Sequence, residues 1–255
     1  MYIIISPAKT FRNSEELWQE NCEPLNFSTA TTVLVEELRK YSSIELEKLM
    51  KISPALAQIN EMRFKEFFEA EKKGCRAIYA YYGEVYKAIG VENLNTSTLE
   101  FMQEHVGILS ALYGLVKPLE SIQPYRLEMS TNLQVGECRN LYAFWKETLT
   151  SFVLKELKFQ KNSFLINLAS EEYSKALDLK EISRHYPIIQ ISFKEAKENG
   201  YRTVGMYAKR GRGQLLRFIC ENKIETVEEI KRFSEDGYRI NEALSTAEHL
   251  VFTRG

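Results

Sequence analysis

Apolar and polar positions along this chain switch between two periods. Tyr2–Ile5 is a continuous apolar run rich in β-branched Ile, the pattern of a buried strand. Ser6-Pro7 ends it, because Pro7 cannot continue a ladder and biases Ser6 toward extended backbone. Residues 12–30 are polar and irregular and read as a surface excursion. Over Thr31–Tyr41 the period becomes helical, with Leu34, Leu38 and Tyr41 on one face. Ser42 with Glu45 forms a capping box that opens a helix to about Ile52. Ser53-Pro54 restarts another, with Ser as cap and Pro in the first turn, running to about Ala70.

Cys75–Tyr82, CRAIYAYY, predicts a strand, followed by a short helix at Val85–Ile89. Ser97 with Glu100 predicts a helix reaching His105, and Val106–Leu112 a further strand. Asn140–Lys158 reads as a long helix whose aromatics, Tyr142, Phe144, Trp145 and Phe152, belong to the core. Ser163–Leu168 is another strand, with a short helix from Glu171. Pro187–Phe193 and Tyr201–Tyr207 pair as a hairpin around Asn199-Gly200. Residues 209–213, KRGRG, read as a glycine-punctuated basic turn that leads into a helix ending near residue 222. Thr226 with Glu229 opens a late helix, and 234–240 and 249–253 are short terminal strands. There is no repeat, low-complexity segment or linker, so an α/β chain forming one domain over residues 1–255 is expected.

Composition changes this picture little. The chain has 255 residues, 44% apolar and 27% charged, with a net charge of −1, so any anion site must be a local patch. The four cysteines, at 22, 75, 138 and 220, are scattered without CxxC spacing and read as mostly buried thiols. The three histidines, 105, 185 and 249, are isolated. No metal site and no cofactor are expected. The apolar start is too short for a signal segment or a membrane span, so a cytoplasmic protein is expected.

Candidate chemistry lies where strands empty into charged loops. Lys9, Glu84, Lys117, Arg126, Glu128, Glu171 and Lys209–Arg212 all sit there. A mostly parallel sheet would gather several of them at one edge. Cations there bind phosphate by charge, and arginine also by paired hydrogen bonds. Gly211 and Gly213 flank Arg212 and would let backbone approach an anion; the alternative is a solvated basic turn. Glu84, Glu128 and Glu171 are candidate acids or bases, with structural ion pairing as the alternative for Glu128 and Arg126.

SPAKT (6–10), YGEVY (82–86), LSALYGLVKPLE (109–120), QPYRLEM (123–129), LYAFW (141–145), NLASEEY (167–173) and YAKRGRG (207–213) together resemble the bacterial peroxide stress protein YaaA family over nearly the whole chain. The resemblance implies a family-specific α/β fold, a mixed central sheet surrounded by helices, with a helix-hairpin-helix-like element that 43–70 would supply. It implies a protein that limits free iron and oxidative DNA damage under hydrogen peroxide stress. It also implies DNA as partner, duplex or partly unpaired and without sequence specificity, bound in a positively charged cleft. Neither a membrane nor a stable protein partner is expected. Lys9 falls in the family's SPAK motif, and Arg126 in its PYRLEMG-like motif, with Ser130 in place of glycine. Lys209, Arg212 and Gly213 fall in its YAKxARG-like motif, with Gly211 in place of alanine. The tight turn Ile52-Ser53-Pro54 has no glycine, so Lys48, Lys51 and Arg63 rather than backbone amides are expected to meet phosphate in that segment. The phosphate-binding set is therefore Lys9, Lys51, Arg63, Arg126, Lys209, Arg210, Arg212 and Gly213. An enzyme acting on a nucleotide or a nucleic-acid base in the same cleft, glycosylase- or hydrolase-like, is the alternative function.

Overall fold

The computed structural model describes residues 1–13, 17, 18, 20, 21, 25–69 and 73–255. In chain order the first elements are β1 (Tyr2–Ile5), β2 (Thr10–Phe11), β3 (Glu20–Asn21), α1 (Ser28–Leu38), α2 (Ser43–Met50) and α3 (Pro54–Lys65). Then follow β4 (Lys73–Arg76), α4 (Ala77–Ala80), β5 (Tyr81–Tyr82), α5 (Glu84–Ile89), α6 (Thr96–His105), β6 (Val106–Ser110), β7 (Gly114–Val116) and β8 (Ser121–Ile122). The chain continues through α7 (Leu141–Lys158), β9 (Leu165–Asn167), α8 (Glu171–Ser174), α9 (Leu179–Ser183), β10 (Ile188–Lys197) and β11 (Gly200–Arg202). It ends with α10 (Gly205–Glu221), α11 (Val227–Ile230), β12 (Arg239–Ile240) and β13 (His249–Arg254).

The main sheet has eight strands and is mixed, in the order β12-β13-β10-β9-β1-β6-β7, with β11 beside β10. Its centre is parallel: β1 pairs β6 and β9, and β10 pairs β9 and β13, all in the same direction. β7, β11 and β12 run antiparallel at the margins. β1, β6 and β9 are buried at every position, which explains their continuous apolar sequence: a parallel strand covered on both faces has no polar side. Helix α7 packs on β1 and β7, and its Trp145 donates from Nε1 to the Ala111 carbonyl at 2.9 Å. Helix α10 packs on β10, α5 and α6.

The capping signals of α2, α3 and α11 are seen where the sequence places them. Ser42 and Glu45 form the reciprocal capping box of α2, and Ser53 accepts from the Leu56 amide ahead of Pro54. Thr226 caps α11. Asn140, expected as the first residue of the long helix, is its cap instead, and α7 starts at Leu141. Helix α2 stops at Met50, two residues early, because Lys51 turns left-handed at φ 52°. Helix α3 stops at Lys65; the expected end near Ala70 lies outside the described residues, as does Cys22. Cys75 and Cys220 are buried free thiols, and Cys138 is half-buried.

Four elements differ from expectation. Within CRAIYAYY only Cys75 and Arg76 continue a strand from Lys73; Ala77–Ala80 is one helical turn and Tyr81–Tyr82 a second short strand. Beyond Arg76 the buried residues are 77, 78, 80 and 81, a helical rather than an alternating spacing, and the Ala77 and Ile78 amides donate to Glu120 and Pro118 carbonyls. The cap of α6 lies two residues before the predicted Ser97: the Asn95 side chain accepts from the Thr98 amide at 2.8 Å, and the helix starts at Thr96. Of 234–240 only Arg239–Ile240 is strand. The hairpin's second arm ends at Arg202, and Tyr207 already lies in α10.

That last difference removes the basic turn. Helix α10 runs without a break from Gly205 to Glu221, straight through KRGRG. A glycine costs about 1 kcal/mol in a helix interior relative to alanine, so local propensity opposes this. Packing overrides it. A Cβ on Gly213 would stand 2.2 Å from the Val85 carbonyl oxygen and 2.8 Å from Ala88 Cβ on α5. A Cβ on Gly211 would stand 2.6 Å from the Phe193 ring on β10. At these two glycines α10 packs directly against α5 and β10.

Candidate functional site

The site forms where the chain crosses itself at the sheet's centre. From β1 the chain goes to β6 on one side, and it returns much later to β9 on the other. In open α/β sheets such a switch in winding opens a crevice beyond the carboxyl ends of the two strands. Here Ser6 follows β1 and Ser170 follows β9, and they close the crevice floor: the Ser170 amide donates to Ser6 Oγ at 2.8 Å, and Ser6 Oγ to Ser170 Oγ at 3.1 Å. Tyr86 of α5 donates its hydroxyl to the Ser6 carbonyl at 3.0 Å.

Over this floor lie Lys9, Arg126 and Glu128. Glu128 bridges both cations: Lys9 Nζ lies 2.6 Å from Oε2, and Arg126 Nη2 donates to Oε1. Arg126 Nη1 also donates to the Lys9 carbonyl at 3.1 Å. Lys9 remains 60% exposed while Arg126 is 16% exposed, so the lysine can still reach a ligand. A small recess lined by Ala8, Lys9, Tyr125, Arg126, Glu128 and Tyr173 joins these loops.

Beside it is a cleft of about 370 Å³. Lys9, Arg12, Arg63 and Arg126 line it, together with Phe11, Trp18, Leu56 and Tyr125. Arg12 pairs with Glu92 and lies 5.4 Å from the Tyr82 ring centre. Arg63, from α3, makes no ion pair or hydrogen bond with the described residues, and its burial lowers its pKa. Tyr125 is anchored behind the wall. Its hydroxyl lies 2.7 Å from Ser110 Oγ and 2.9 Å from Tyr81 OH. Ser110 Oγ already accepts from the Leu112 and Tyr113 amides, so its single proton goes to Tyr125, and Tyr125 in turn donates to Tyr81. Burial pushes the Tyr125 phenol up to about 12 and Tyr81 well above its ordinary value.

The sequence-derived residues thus divide. Lys9, Arg63, Arg126 and Glu128 come together. Lys51 is exposed at the end of α2 and is not among the lining residues. Lys209 is exposed on α10, and Arg210 faces Asp236 at 3.7 Å on the side of the C-terminal strand. Arg212 is half-buried on α10, its pKa lowered by burial, and is not a lining residue either. Gly213 meets α5 instead. Glu84 pairs with Lys87 at 3.3 Å, and Glu171, 81% exposed, pairs with Lys175 at 2.7 Å; neither borders the cleft. Lys117 pairs with Glu156 at 3.0 Å. Among the described residues no three His, Cys, Asp or Glu side chains are grouped to hold a metal ion, and no helix is long and apolar enough to cross a membrane. Sequence reasoning missed Arg12 and Trp18. Their only signal is basic-aromatic interleaving in KTFR and the isolated tryptophan that follows it.

Comparison with known proteins matches residues 1–244 to the family described as peroxide stress protein YaaA. The chain belongs to the YaaA family. A UPF0246 protein of Clostridium beijerinckii is 42% identical over 255 residues, covering all of this chain and 98% of that protein. UPF0246 proteins of Aliivibrio fischeri and Crocosphaera subtropica are 40% and 38% identical, again across the whole chain and 98% and 100% of the relative. YaaA membership supports a role connected with peroxide stress. It assigns no task to the cleft, so the chemistry of the cleft must be argued from its residues.

Proposed function

We propose that this protein binds DNA in the cleft at the β1–β9 crossover, and by doing so limits oxidative DNA damage and free iron during hydrogen peroxide stress. One observation carries the reading: four cations from three separate stretches, Lys9 and Arg12, Arg63, and Arg126, converge on one concave surface of a chain whose net charge is −1. Such a local concentration is what sequence-independent phosphate binding requires. The family resemblance points the same way. Helices α2 and α3, joined by Lys51, Ile52 and Ser53, serve as the helix-hairpin-helix-like element, with Arg63 as its phosphate ligand. The hairpin amides are poor donors for this purpose, because Pro54 has none.

The test is binding of a labelled duplex against salt. Neutralising each phosphate contributes about −0.9 to the slope of log K on log salt. Arg63→Ala and Lys9→Ala should each flatten that slope by about one contact. A slope near zero in the wild type would sink the proposal.

A second reading rests on Glu128. It is the one sequence-derived carboxylate at the crevice, and two cations hold it in place. A carboxylate fixed beside a phosphate-sized anion site suits hydrolysis at a nucleotide or a base, as general base or as stabiliser of a developing cation. Turnover of a nucleoside or damaged duplex that Glu128→Gln abolishes, with binding retained, would select this reading.

A further inference from the structure

The cleft has features that a track for a duplex backbone does not need. Its volume, about 370 Å³, is at the small end of the roughly 300–1,000 Å³ typical of pockets for one small molecule. Its wall is aromatic as well as basic. Phe11 meets Trp18 edge-on at 5.8 Å and Tyr125 edge-on at 5.5 Å, so the three rings form one continuous surface. Trp18 is half-buried and held by donation from Nε1 to the Arg12 carbonyl at 3.1 Å. Among the described residues no carboxylate lines this cleft. Two donors in its wall lack an acceptor among the described residues: Nε of Arg12 and Nε of Arg126 are buried without a hydrogen-bond partner there. Buried unpaired donors are disfavoured, and a ligand bearing several acceptors relieves them.

We infer that the cleft takes a single phosphorylated aromatic heterocycle, a nucleoside monophosphate unit, either free or unstacked from an unpaired stretch or end of a DNA strand. The ring lies against the Trp18 and Phe11 wall, where any base can stack. The phosphate meets Lys9 and Arg63, the one lining cation with no partner among the described residues. This rests on the cleft being an anion site, as proposed above, and narrows its ligand from a phosphate track to one nucleotide. Bases stacked inside a duplex offer no free face, so an intact duplex engages only the cations.

The chain itself provides the reporter. It has two tryptophans, and the other, Trp145, is fully buried, so Trp18 is the one whose emission a stacked base quenches. Full-length protein is titrated with dAMP, with deoxyadenosine and with deoxyribose 5-phosphate. A 5′-phosphorylated single strand and a blunt duplex of equal length follow. We expect saturable quenching by dAMP and by the single strand, with deoxyadenosine binding about tenfold more weakly and deoxyribose 5-phosphate not quenching. Arg63→Ala should weaken dAMP about tenfold and leave deoxyadenosine unchanged, which a misfolded variant would not do. If neither dAMP nor the single strand quenches while a mobility shift shows duplex binding, the inference fails and the duplex reading stands. If dAMP quenches but no strand of either form binds, the nucleotide pocket stands and the DNA reading fails. Quenching by dAMP that Arg63→Ala leaves unchanged overturns the inference, since the ligand then sits elsewhere.

Discussion

The role of the α10 glycines can be decided by one substitution, Gly213→Ala. Two effects compete. Alanine is a better helix former than glycine by about 1 kcal/mol, so on propensity alone the variant gains stability. Against this, the new Cβ would lie 2.2 Å from the Val85 carbonyl oxygen and 2.8 Å from Ala88 Cβ. The first of these contacts is with backbone in the first turn of α5, which cannot rotate away as a side chain can. Overpacking of a tight contact costs about 1–3 kcal/mol and more where the neighbour is rigid. Packing therefore wins, with a net loss of roughly 1–3 kcal/mol. For a chain of this size each kcal/mol lowers Tm by about 2–4 °C, so a fall of several degrees is expected by calorimetry or circular dichroism. Gly205→Ala is the matched control: its Cβ meets nothing within 4 Å at the start of the same helix, and its Tm should hold or rise slightly. A Gly213→Ala protein as stable as wild type would refute the packing account. If it also lost DNA affinity, the glycine would be an anion-binding position after all.

Three further outcomes follow from named contacts. Tyr125→Phe removes the hydroxyl between Ser110 and Tyr81 and leaves the Ser110 proton unpaired in the core, so stability should drop by about 1–3 kcal/mol in urea titration. Because the folded Tyr125 phenol stands at about 12 against an ordinary 10, its contribution is complete below pH 10 and is lost as pH rises toward 12; the variant should show a shallower alkaline decline. Lys51→Gly relieves a left-handed residue at φ 52° and should hold or raise Tm, by up to about 1 kcal/mol of stability. Glu128→Gln removes the internal anion shared by Lys9 and Arg126, so inorganic phosphate and DNA should bind more tightly and with a steeper salt dependence; weaker binding would show that Glu128 contributes to the ligand site itself.

What could be read from the sequence was what is locally determined. The continuous apolar runs of β1, β6 and β9 are visible because a doubly covered parallel strand leaves no polar position. The caps at Ser42, Ser53 and Thr226 are visible because a cap acts within three residues of itself. KRGRG was misread for the same reason. Two glycines and three cations signal a turn, and only contact with Val85 and Phe193, far away in the chain, keeps them helical. At the site, Lys9 and Arg126 stood out as charges beyond strand ends. Arg12 and Trp18 did not, because the stretch that carries them has no periodicity, and its place beside α3 depends on tertiary packing. Arg63 and Arg212 looked equivalent in sequence; the fold brings the first to the cleft and keeps the second on α10.

The Lys9–Glu128–Arg126 bridge carries the argument one step further. Two cations held this close repel, by about 4 kcal/mol for unit charges 4 Å apart at an effective dielectric of 20. Glu128 offsets that repulsion, with its two oxygens set between the cations much as two phosphate oxygens would be. The cleft is therefore prearranged for an oxyanion while keeping positive charge in reserve. Among the described residues, the four lining cations exceed their partner carboxylates, Glu128 and Glu92, by two charges. Two unmatched charges balance one terminal phosphate monoester, which carries about −1.5 to −2 at neutral pH. A backbone phosphodiester carries only one. On charge alone, then, the cleft is matched to a strand end or a free nucleotide rather than to the interior of a duplex. A 5′-phosphorylated end should accordingly compete for the cleft better than the same strand with a 5′-hydroxyl, and equal competition by the two would count against that match.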